Sequence, residues 1–558
     1  MDNILWYQGF TAARYGGKLP AVQAPEISPR GEFTASEAIL LQRYFTNLDR
    51  SVFALQNLPE VVKGALFSRY SRTEKSLRRV LLEEFIDAPE LGLGAIAGDP
   101  RHDSQVALGR AEEFYDRVLV GYGDDSVAEL AGAHLAVESV STLAAKALED
   151  SRIGLSPLEK STRYVRFDRF GPDGRFLYHR GPELRHPVYE PAMDHLFEAY
   201  AGLLEPLTES IRREHPIEPG ETDRAWKTAT RAKALDLLRG LLPASTLTNL
   251  GLYGNGRAFE YLITKLAGAE LPECRGLAGE IHSELSQVIP SFVKRALDER
   301  YGSPAAERLA RNRQAIARLA PAAAGRTSPE QPGVRLFDYD WDAERRVVAA
   351  ALFPHSELPM AQLGNHGADH GAVLEAILGD RSNRRQKAPR ALEHASYTFE
   401  IVANFAAYRD LHRHRMLSQD RQHLGTSLGH DVPPELERYG FGQRFESALD
   451  RAASAHRMLE RSMGPAVAQY AVPLAFRLRW YMKANLREVF HLCELRTTPQ
   501  GHPDYRFIAQ EMYRRVLEVH PRLAGYANHV DLGAGDALQR RQSERRIDEK
   551  REALNSIS

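Results

Sequence analysis

The chain contains very little cysteine. Only Cys274 and Cys493 occur among 558 residues, and each stands alone in its neighbourhood. Two isolated thiols exclude a disulfide framework and a cysteine-rich zinc site, and they favour a reducing compartment. The start of the chain has no basic segment followed by an apolar run, and no stretch of 18 apolar residues occurs. These absences predict a cytoplasmic protein that does not bind membranes, with both cysteines as packing positions.

The chain also lacks a surplus of either charge. It has 73 Lys and Arg against 74 Asp and Glu, a formal net charge of -1. A neutral balance without a basic stripe disfavours a nucleic-acid partner such as RNA. A hydrophobic content of 43% is ordinary for a globular protein. Any site for an anion must therefore be local.

One such local site is the segment from Tyr408 to His423, where seven of sixteen residues are Arg or His. Guanidinium groups are permanently charged, and their planar fork suits phosphate, so the segment favours an anion site over a metal site. The alternative is a solvated basic helix face. A metal at His366 and His370 is disfavoured because Gly364, Gly367 and Gly371 weaken a helix there.

Composition and periodicity divide the chain into five segments. Residues 1–35 are an irregular lead-in, and helical patterns follow at 35–45, 61–85, 110–150 and 190–300. Proline and glycine mark a linker over 303–335. The aromatic run from Phe476 to Tyr481 is expected in the core. The predicted domains are a first half at 36–302, a second half at 336–533 and a charged helical tail at 534–558.

A short signature recurs in the two halves. Pro243, Asn255 and Arg257 reappear 230 positions later as Pro473, Asn485 and Arg487. Upstream, Ser126-x-x-Glu129 corresponds to Arg390-x-x-Glu393, which lies 264 positions later. The pattern predicts a tandem duplication whose halves pack about a pseudo-twofold axis, as subunits of a homodimer do.

The second half contains a recognisable series of motifs. Alternation through Leu392–Ile401 predicts a strand that leads into a helix delivering Arg413. Glu393-His394-Ala395, Tyr397-Thr398-Phe399 and Arg413-His414-Arg415 together resemble the flavin-dependent thymidylate synthases, and Asn485-x-Arg487 and Leu495-Arg496 continue the resemblance. The resemblance implies an α+β fold of two tandem halves, each a small, mainly antiparallel sheet packed with helices, arranged as a pseudo-dimer.

The family's signature residues are divided between the halves. The second half has Arg-His-Arg, but His423 replaces the serine that should follow it. The first half has the matching Ser161 and Arg163 but lacks Arg-His-Arg. Two further positions carry Arg239 and Leu266 in the first half, against Gln469 and Arg496 in the second. The resemblance therefore implies one composite active site, since the family shares its sites between subunits.

The resemblance also implies the role of each residue. The protein would make thymidylate from deoxyuridylate (dUMP), with FAD as cofactor and methylenetetrahydrofolate and NADPH as co-substrates. Arg496 would be catalytic, stabilising negative charge on the uracil. The substrate-binding residues would be Glu159, Ser161, Arg163, Arg239 and Arg413. The cofactor-binding residues would be Ser126, Glu129, Glu393, Arg413, His414, Arg415, Asn485, Arg487 and His491. The resemblance further implies a homodimer of fused chains.

Three positions depart from the family's pattern. Asp410 stands where a glutamine contacts the pyrimidine, Arg390 replaces a Ser or Thr, and His491 replaces a flavin-contacting Asn. With His423 and Gln469, these departures leave an alternative open: a catalytically silent paralogue that binds a flavin or a nucleotide.

Overall fold

The computed structural model describes residues 32–71, 73–86, 128–151, 153–320, 329–365, 367–535, 537–538 and 540–555. The chain divides into two compact units. One comprises Met1–Ala131 with Gln287–Ser291, and the other comprises Gly132–Ser286 with Phe292–Ser558. The division falls at Ala131, so the predicted boundary at residue 35 does not separate the observed units.

Helices make up most of the described part of the smaller unit. Helix α1 (Ala35–Leu41) begins at Thr34, whose side chain accepts from the Glu37 N–H while the Glu37 carboxylate accepts from the Thr34 N–H. Helix α2 spans Glu60–Tyr70, and a short turn at Leu77–Val80 runs into a π-helical segment at Leu81–Ile86. Leu77, Val80, Leu81 and Phe85 are all buried on these helical turns, which confirms the helical pattern predicted over 61–85.

The larger unit contains two antiparallel sheets. The first has strands β1 (Gly132–Ser141), β2 (Leu155–Glu159) and β3 (Leu247–Asn255) in the order β1-β3-β2. The second has β4 (Gly333–Tyr339), β5 (Ser396–Asn404), β6 (Leu417–Arg421) and β7 (Arg477–Asn485) in the order β4-β5-β7-β6. We call residues 132–286 the first repeat and residues 333–524 the second repeat.

Helices pack around both sheets. The longer ones are α3 (Thr142–Glu149), α4 (Tyr189–Glu214), α5 (Asp223–Leu238), α6 (Gly256–Ala267), α7 (Pro272–Leu285), α8 (Gly302–Leu319), α9 (Ala343–Leu352), α10 (His370–Leu378), α11 (Phe405–Leu411), α12 (Gly442–Met463), α13 (Leu486–Arg496), α14 (Pro503–Val519) and α15 (Arg541–Asn555). Short helical turns occur at Pro182–Leu184, Arg239–Leu241, Pro290–Val293, Phe353–His355, Met360–Leu363, Arg390–His394, Pro434–Arg438, Pro465–Ala468, Gln469–Ala471 and Pro521–Ala524. None of the described helices is long and apolar enough to cross a membrane.

The two repeats share one architecture. Strand β3 pairs with β1 and β2 as β7 pairs with β5 and β6. Asn255 ends β3 and Asn485 ends β7, and each side chain accepts from the N–H of the residue three positions on, at the start of α6 and α13. The recurring asparagine is therefore a helix N-cap, and the predicted duplication is confirmed.

The repeats meet about a pseudo-twofold axis between Pro243 and Pro473, which form an antiparallel bridge. The Ala244 N–H donates to the Val472 carbonyl at 2.9 Å, and the Leu474 N–H donates to the Leu242 carbonyl at 2.9 Å. The two donors, Ala244 and Leu474, are 230 residues apart, and so are the two acceptors, Leu242 and Val472. A half turn about the axis therefore exchanges the two hydrogen bonds. The predicted pseudo-dimer is confirmed.

Small insertions explain why the sequence offset varies. Gly132 of β1 pairs with Asn255 of β3, and Ser396 of β5 pairs with Asn485 of β7. The outer strands β1 and β5 are therefore offset by 264 positions, whereas the central strands β3 and β7 are offset by 230. A bulge between Val137 and Val140, where Ser139 has φ 57°, adds one residue to β1. Helix α3 is one residue longer than α11, with 8 residues against 7. The offset is therefore 262 at the Arg-His-Arg motif.

Several expectations about secondary structure were wrong. Strands β1 and β3 lie inside segments predicted as helical, so the helical prediction is wrong over Gly132–Ser141 and Leu247–Asn255. The helix Gly302–Leu319 covers the start of the linker predicted over 303–335, and β4 begins near its end at Gly333. The linker itself stays a prediction. The strand predicted from Leu392 begins at Ser396, after a helical turn. The charged tail is helical as predicted, and Arg541 pairs with Glu221 at 3.1 Å.

The remaining expectations concern buried side chains. Both cysteines are buried, and burial raises their thiol pKa values, to about 12 for Cys274. Phe476 and Trp480 are buried as predicted for the aromatic run, although Tyr481 is exposed. His366 lies outside the described residues, and His370 pairs with Glu344 at 2.9 Å.

Candidate functional site

The Arg-His-Arg motif occupies the turn between α11 and β6. Asn404 caps α11 by accepting from the Ala407 N–H, and this positions the turn. Arg413 and Arg415 are exposed and His414 is buried. Arg415 donates to the Leu155 carbonyl at 2.6 Å and to Ser156 Oγ at 2.9 Å, both in the first repeat. The motif therefore reaches across the pseudo-twofold axis, as the composite-site prediction requires.

Arg163 lies in the loop after β2 and is held by α5. Its Nε and Nη2 donate to the two carboxylate oxygens of Asp236 at 2.8 Å each, and its Nη1 donates to the Tyr505 hydroxyl at 3.2 Å. Burial opposes the charged form, yet Asp236 holds the pKa of Arg163 above its usual value. Ser161 accepts from the Arg163 N–H at 3.2 Å and so orders the same loop.

Arg239 follows α5 and is 3% exposed. Its Nη1 donates to Asp410 of the second repeat at 2.9 Å. Burial would raise the pKa of Asp410, but Arg239 and then Arg163 hold it well below its usual value. Among the described residues, the buried Nε and Nη2 of Arg239 have no hydrogen-bond partner. Two unmet donors on a buried guanidinium are costly unless an anion or water meets them.

Arg496 ends α13 and belongs to a hydrogen-bonded chain. Its Nε donates to His414 Nε2 at 3.0 Å, and His414 Nδ1 lies 2.8 Å from Glu488 Oε1. Since Nε2 accepts, Nδ1 carries the proton and donates to the carboxylate. Burial, reinforced by Arg496, holds the pKa of His414 well below its usual value. A neutral His414 thus orients Arg496.

Tyr505 is where the two repeats converge. The Arg163 guanidinium carbon lies 5.8 Å from its ring centroid and that of Arg496 lies 5.7 Å from it. Arg540 adds a further cation, since it donates to the Arg163 carbonyl at 3.4 Å. The cluster formed by Arg163, Arg239, Arg413, Arg496 and Arg540 outnumbers its aspartates, Asp236 and Asp410. We call it the arginine cluster, and its excess positive charge suits a phosphate.

The pseudo-symmetric counterpart of the cluster lacks its chemistry. The position of Arg163 is Gly425, that of Arg239 is Gln469, and that of Arg496 is Leu266, which is 1% exposed. Cys274 occupies the position of Tyr505. The Gln469 side chain instead makes a hydrogen bond within its own repeat, because its Oε1 accepts from the Leu424 N–H at 3.0 Å. Only one of the two equivalent places therefore carries an arginine cluster.

Glu159 lies beside the cluster at the end of β2. Its carboxylate accepts from Lys146 at 2.9 Å and from Arg409 of the second repeat at 2.7 Å. Arg413 Nη2 is 3.8 Å from it. Burial would raise the pKa of Glu159, but Arg409 and Lys146 hold it below its usual value. Glu159 of the first repeat thus binds Arg409 of the second repeat at a point close to Arg413.

The predicted cofactor residues gather at a second place. Glu393, Asn485, Arg487 and His491 line one cavity of about 480 Å³. Arg487 donates to Glu393 at 2.8 Å. The other lining residues are Arg381, Arg384, Lys387, Ala388, Arg390, Met416, Glu488, Phe490 and Glu494. Lys and Arg outnumber Glu here, a surplus that fits a pyrophosphate, and Phe490 and Met416 offer apolar surface.

Two predicted cofactor residues, Ser126 and Glu129, are not assigned to this cavity. Ser126 is outside the described residues, and Glu129 belongs to the smaller unit. In the described part of the chain, His414, Glu488 and His491 also place possible metal-ligand atoms within 4.8 Å of one another. One ring nitrogen of each histidine faces a cationic side chain, because Arg496 donates to His414 Nε2 and Lys387 Nζ is 3.3 Å from His491 Nδ1.

Sequence reasoning missed Asp236, Glu488 and Tyr505. Asp236 and Tyr505 lie 73 and 342 residues from Arg163, whose contacts reveal them. Glu488 carried a local signal, since it lies three residues after the Asn485 cap and eight before Arg496, on one face of α13.

For the reaction proposed below, Glu488→Met is expected to lower kcat about tenfold with little change in KM, by analogy with the loss of residues that orient ligating histidines. The change removes the acceptor that fixes the His414 tautomer, so Arg496 loses its orientation. Glu488→Gln should restore most of the rate, since the amide oxygen still accepts from Nδ1–H. A purely structural role would instead lower stability and leave kcat per folded molecule unchanged, which thermal unfolding beside steady-state kinetics would show.

Comparison with known proteins gives the chain's relationships. The sequence model of the family described as thymidylate synthase complementing protein matches residues 79–291 and 335–522. A UPF0159 protein of Chlamydia muridarum is 41% identical over 531 residues, covering 93% of this chain and 99% of that protein. A UPF0159 protein of Thermoplasma acidophilum is 34% identical over 504 residues, covering 84% of this chain and 95% of that protein.

Two further proteins cover about one third of the chain. The flavin-dependent thymidylate synthase of Geobacter sulfurreducens is 31% identical over 207 residues, covering 34% of this chain and 84% of that protein. The solved structure of the UMP/dUMP methylase PolB from Streptomyces cacaoi with 5-Br dUMP is 20% identical, with a TM-score of 0.31, covering 36% of this chain and 97% of that one. Because the family model matches more than half of the chain, once in each repeat, this chain belongs to the thymidylate synthase complementing protein family.

Proposed function

We propose that the protein methylates dUMP to dTMP with FAD, using methylenetetrahydrofolate as carbon donor and NADPH as reductant, at one composite active site. The observation that carries the proposal is the convergence of Arg163 and Arg496, from different repeats, on Tyr505. The equivalent positions across the axis hold Gly425 and Leu266. The flavin-dependent thymidylate synthase of Geobacter sulfurreducens supports the reaction class.

The nucleotide's phosphate would bind at the first-repeat side of the arginine cluster. Two buried donor nitrogens of Arg239 have no partner among the described residues, and Arg163 is fixed in place by Asp236. Ser161 lies in the same loop and offers a hydroxyl. A phosphate dianion would compete with Asp410 for Arg239 and satisfy its unmet donors.

Arg496 would act on the uracil ring. It is held over Tyr505 by His414, and its guanidinium stays charged although burial lowers its pKa from the usual value. A fixed cation at the carbonyl edge of uracil stabilises the negative charge that develops there when C5 acts as a nucleophile. No cysteine nucleophile is assigned, since burial raises the thiol pKa of both cysteines.

FAD would be held at the cavity lined by Asn485, Arg487 and His491, together with Arg413, His414 and Arg415. His414 links that cavity to the arginine cluster, because it contacts both Glu488 and Arg496. The positive surplus of the cavity fits the cofactor's pyrophosphate. The residues of this cavity would hold FAD, whose chemistry when reduced would be to provide the hydride for the methyl group. This chain's own residues bind the two anions side by side and keep Arg496 oriented.

A second candidate function is nucleotide or flavin binding without turnover. It is favoured by the Arg239–Asp410 pair, since Asp410 accepts from an arginine needed for phosphate and replaces the pyrimidine-contacting amide. The chain would then retain ligand affinity but not catalysis. The predicted homodimer of fused chains stays a prediction under either function.

Purified protein reconstituted with FAD is expected to release the C5 hydrogen of dUMP when NADPH and methylenetetrahydrofolate are supplied. Tritium release from [5-³H]dUMP measures the reaction directly, and dTMP formation confirms it. Heat-denatured protein with free FAD is the control. Fully flavin-loaded protein that binds dUMP but releases no tritium would refute the enzyme and support the silent paralogue.

A further inference from the structure

We propose that the C-terminal segment, residues 525–555, holds the loop that carries Ser161 and Arg163, with Arg540 as a positioning residue for the nucleotide's phosphate. The proposal deepens the proposed function and rests on its nucleotide site. The family model ends at residue 522, so the segment lies outside the matched part of the chain. A role for it in the site is therefore not one that the family model assigns.

The C-terminal segment is anchored first on the second repeat. The Asp531 N–H donates to Thr497 Oγ1 at 3.0 Å, and Thr497 directly follows Arg496. Gln510 Nε2 donates to the Asp531 carbonyl at 2.9 Å and to the Gly533 carbonyl at 3.0 Å. The segment therefore starts beside the end of α13 that carries Arg496.

The second anchor of the segment lies on the first repeat, at the start of α5. Arg541 at the beginning of α15 pairs with Glu221 at 3.1 Å, and Arg224 pairs with Glu544 of α15 at 3.1 Å. The segment thus runs from one repeat to the other. Arg540 immediately precedes α15 and lies between the two anchors.

Arg540 is buried against the loop of Arg163. It is 6% exposed, and its guanidinium carbon lies 3.8 Å from the centroid of the Tyr164 ring. A cation at this distance over an aromatic face is attracted to the ring. Arg540 Nη1 also donates to the Arg163 carbonyl at 3.4 Å. Because Ser161 accepts from the Arg163 N–H, Arg540 holds the same loop that presents both phosphate-binding residues.

Arg540 also places a second cation beside Arg163. Burial and then the charge of Arg163 lower the pKa of Arg540 from its usual value, although Asp236 opposes them. Like charges repel strongly where water is excluded, and a nearby anion offsets that repulsion. A phosphate dianion bound at Arg163 would therefore stabilise the docked segment. Since linked equilibria are reciprocal, the docked segment in turn raises the affinity for phosphate.

The docking of α15 is weak enough to respond to a ligand. Its larger apolar side chains bury little surface, since Ile547 is 41% exposed and Leu554 is 57% exposed. Charged pairs dominate the contact with α5, such as Arg224 with Asp548 at 2.5 Å. Partly exposed ion pairs of this kind contribute little stability each. Contacts at Arg540 can therefore shift the balance between docked and undocked states.

The test is calorimetric titration of the full-length, flavin-loaded protein with dUMP, beside a titration with deoxyuridine, which lacks the phosphate. We expect Arg540→Ala to raise the Kd for dUMP about tenfold, a typical coupling between linked sites, and to leave the Kd for deoxyuridine unchanged. Arg540→Lys should recover part of the affinity, because it retains the charge. Arg541→Glu, which replaces the pair with Glu221 by a repulsion, should weaken dUMP binding from outside the cluster.

The matched control is Arg546→Ala, which removes an exposed arginine of α15 and should leave both Kd values unchanged. Amide hydrogen exchange of the wild-type protein measures the reciprocal effect. Saturating dUMP should slow exchange in α15 by about the factor that Arg540→Ala costs in affinity, and deoxyuridine should not.

Three results would overturn the proposal. The first is an unchanged dUMP Kd in both Arg540→Ala and Arg541→Glu, with native circular dichroism. The second is an equal loss of affinity for dUMP and deoxyuridine, which shows a merely structural role. The third is exchange in α15 that dUMP does not slow. The proposed function fails separately, by the absence of tritium release from protein whose dUMP affinity still depends on Arg540.

Discussion

Arg496→Leu is expected to lower kcat by about 10²- to 10³-fold, the loss typical of removing one preorganised charge-stabilising donor. The substitution gives this position the residue that its counterpart, Leu266, already has. Arg496 donates to His414 and lies over Tyr505, so its removal deletes the cation facing the uracil but leaves Arg163 and Asp236 paired. Affinity for dUMP should fall less than kcat, because phosphate binding is assigned to the other repeat.

The matched control is Leu266→Met, which alters the equivalent position in the other copy. Leu266 is buried, and a volume-conserving change there costs less than about 1.5 kcal/mol, so turnover should stay within about twofold of wild type. Arg163→Ala, in the opposite repeat from Arg496, should also abolish turnover. Mixing inactive Arg163→Ala and Arg496→Leu proteins should restore no activity if each chain builds its own site. Independent repeats would instead leave each single variant partly active.

The division of the site residues between the two repeats could be predicted from the sequence alone. Arg239 and Arg496 could be paired with Gln469 and Leu266 because the motifs around Pro243 and Asn255 keep a constant offset of 230. Arg163 and Arg413 were assigned because the family's signature is divided between the two halves. Their convergence required only that the repeats face each other about an axis, and Arg415 does reach Ser156. Local motifs therefore predicted which residues meet, although they are distant in the chain.

Other features could not be read from local patterns. Strand β1 was taken for helix because its pairing with β3 joins residues more than 100 positions apart, such as Gly132 and Asn255. The partners of the arginines were missed for the same reason, since Asp236 and Asp410 are ordinary helical carboxylates until the fold places them. The difference between Tyr470 and its counterpart Gly240 can be recognised only once the two repeats are superimposed. Long-range contacts decide these assignments, and a single sequence does not record them.

The interface between the repeats contains a second, partly buried ion network, centred on Arg421. Arg421 donates to Asp150 of the first repeat at 2.9 Å and to the Tyr408 hydroxyl at 2.9 Å. The other oxygen of Asp150 lies 2.8 Å from His412 Nε2. With the offset of 262, Asp150 corresponds to His412 and Glu159 to Arg421. Equivalent positions therefore carry opposite or complementary charges.

This asymmetry makes each repeat specific for the other. In a pair of first repeats, Asp150 would face Glu159, and in a pair of second repeats Arg421 would face His412 in place of a carboxylate. Like charges at close range in a buried interface are destabilising. The observed pairing instead places Arg421 against Asp150 and Arg409 against Glu159. The network thus favours the one arrangement that assembles the composite site.

Asp150→Asn is expected to destabilise the larger unit by about 3 to 5 kcal/mol, because removing one partner leaves a buried charge uncompensated. The Arg421 side chain is only 15% exposed and that of Asp150 is 25% exposed, so water does little to replace the lost carboxylate. Urea unfolding followed by circular dichroism measures the change. Glu307→Gln removes an exposed carboxylate that pairs with Arg311 on one helix, and it should change stability by less than about 0.5 kcal/mol.

The pH dependence of stability gives an independent check on Asp150. Burial alone would raise its pKa, but Arg421 and His412 together hold it well below the usual value. A depressed folded pKa contributes stability that is present above the unfolded value of about 4 and is lost as the pH falls towards the folded value. Asp150→Asn should therefore flatten the acid side of the stability profile while lowering the whole curve near pH 7. A variant with unchanged unfolding free energy and an unchanged acid limb would show that Arg421 finds another partner, and that the interface does not depend on this charge pair.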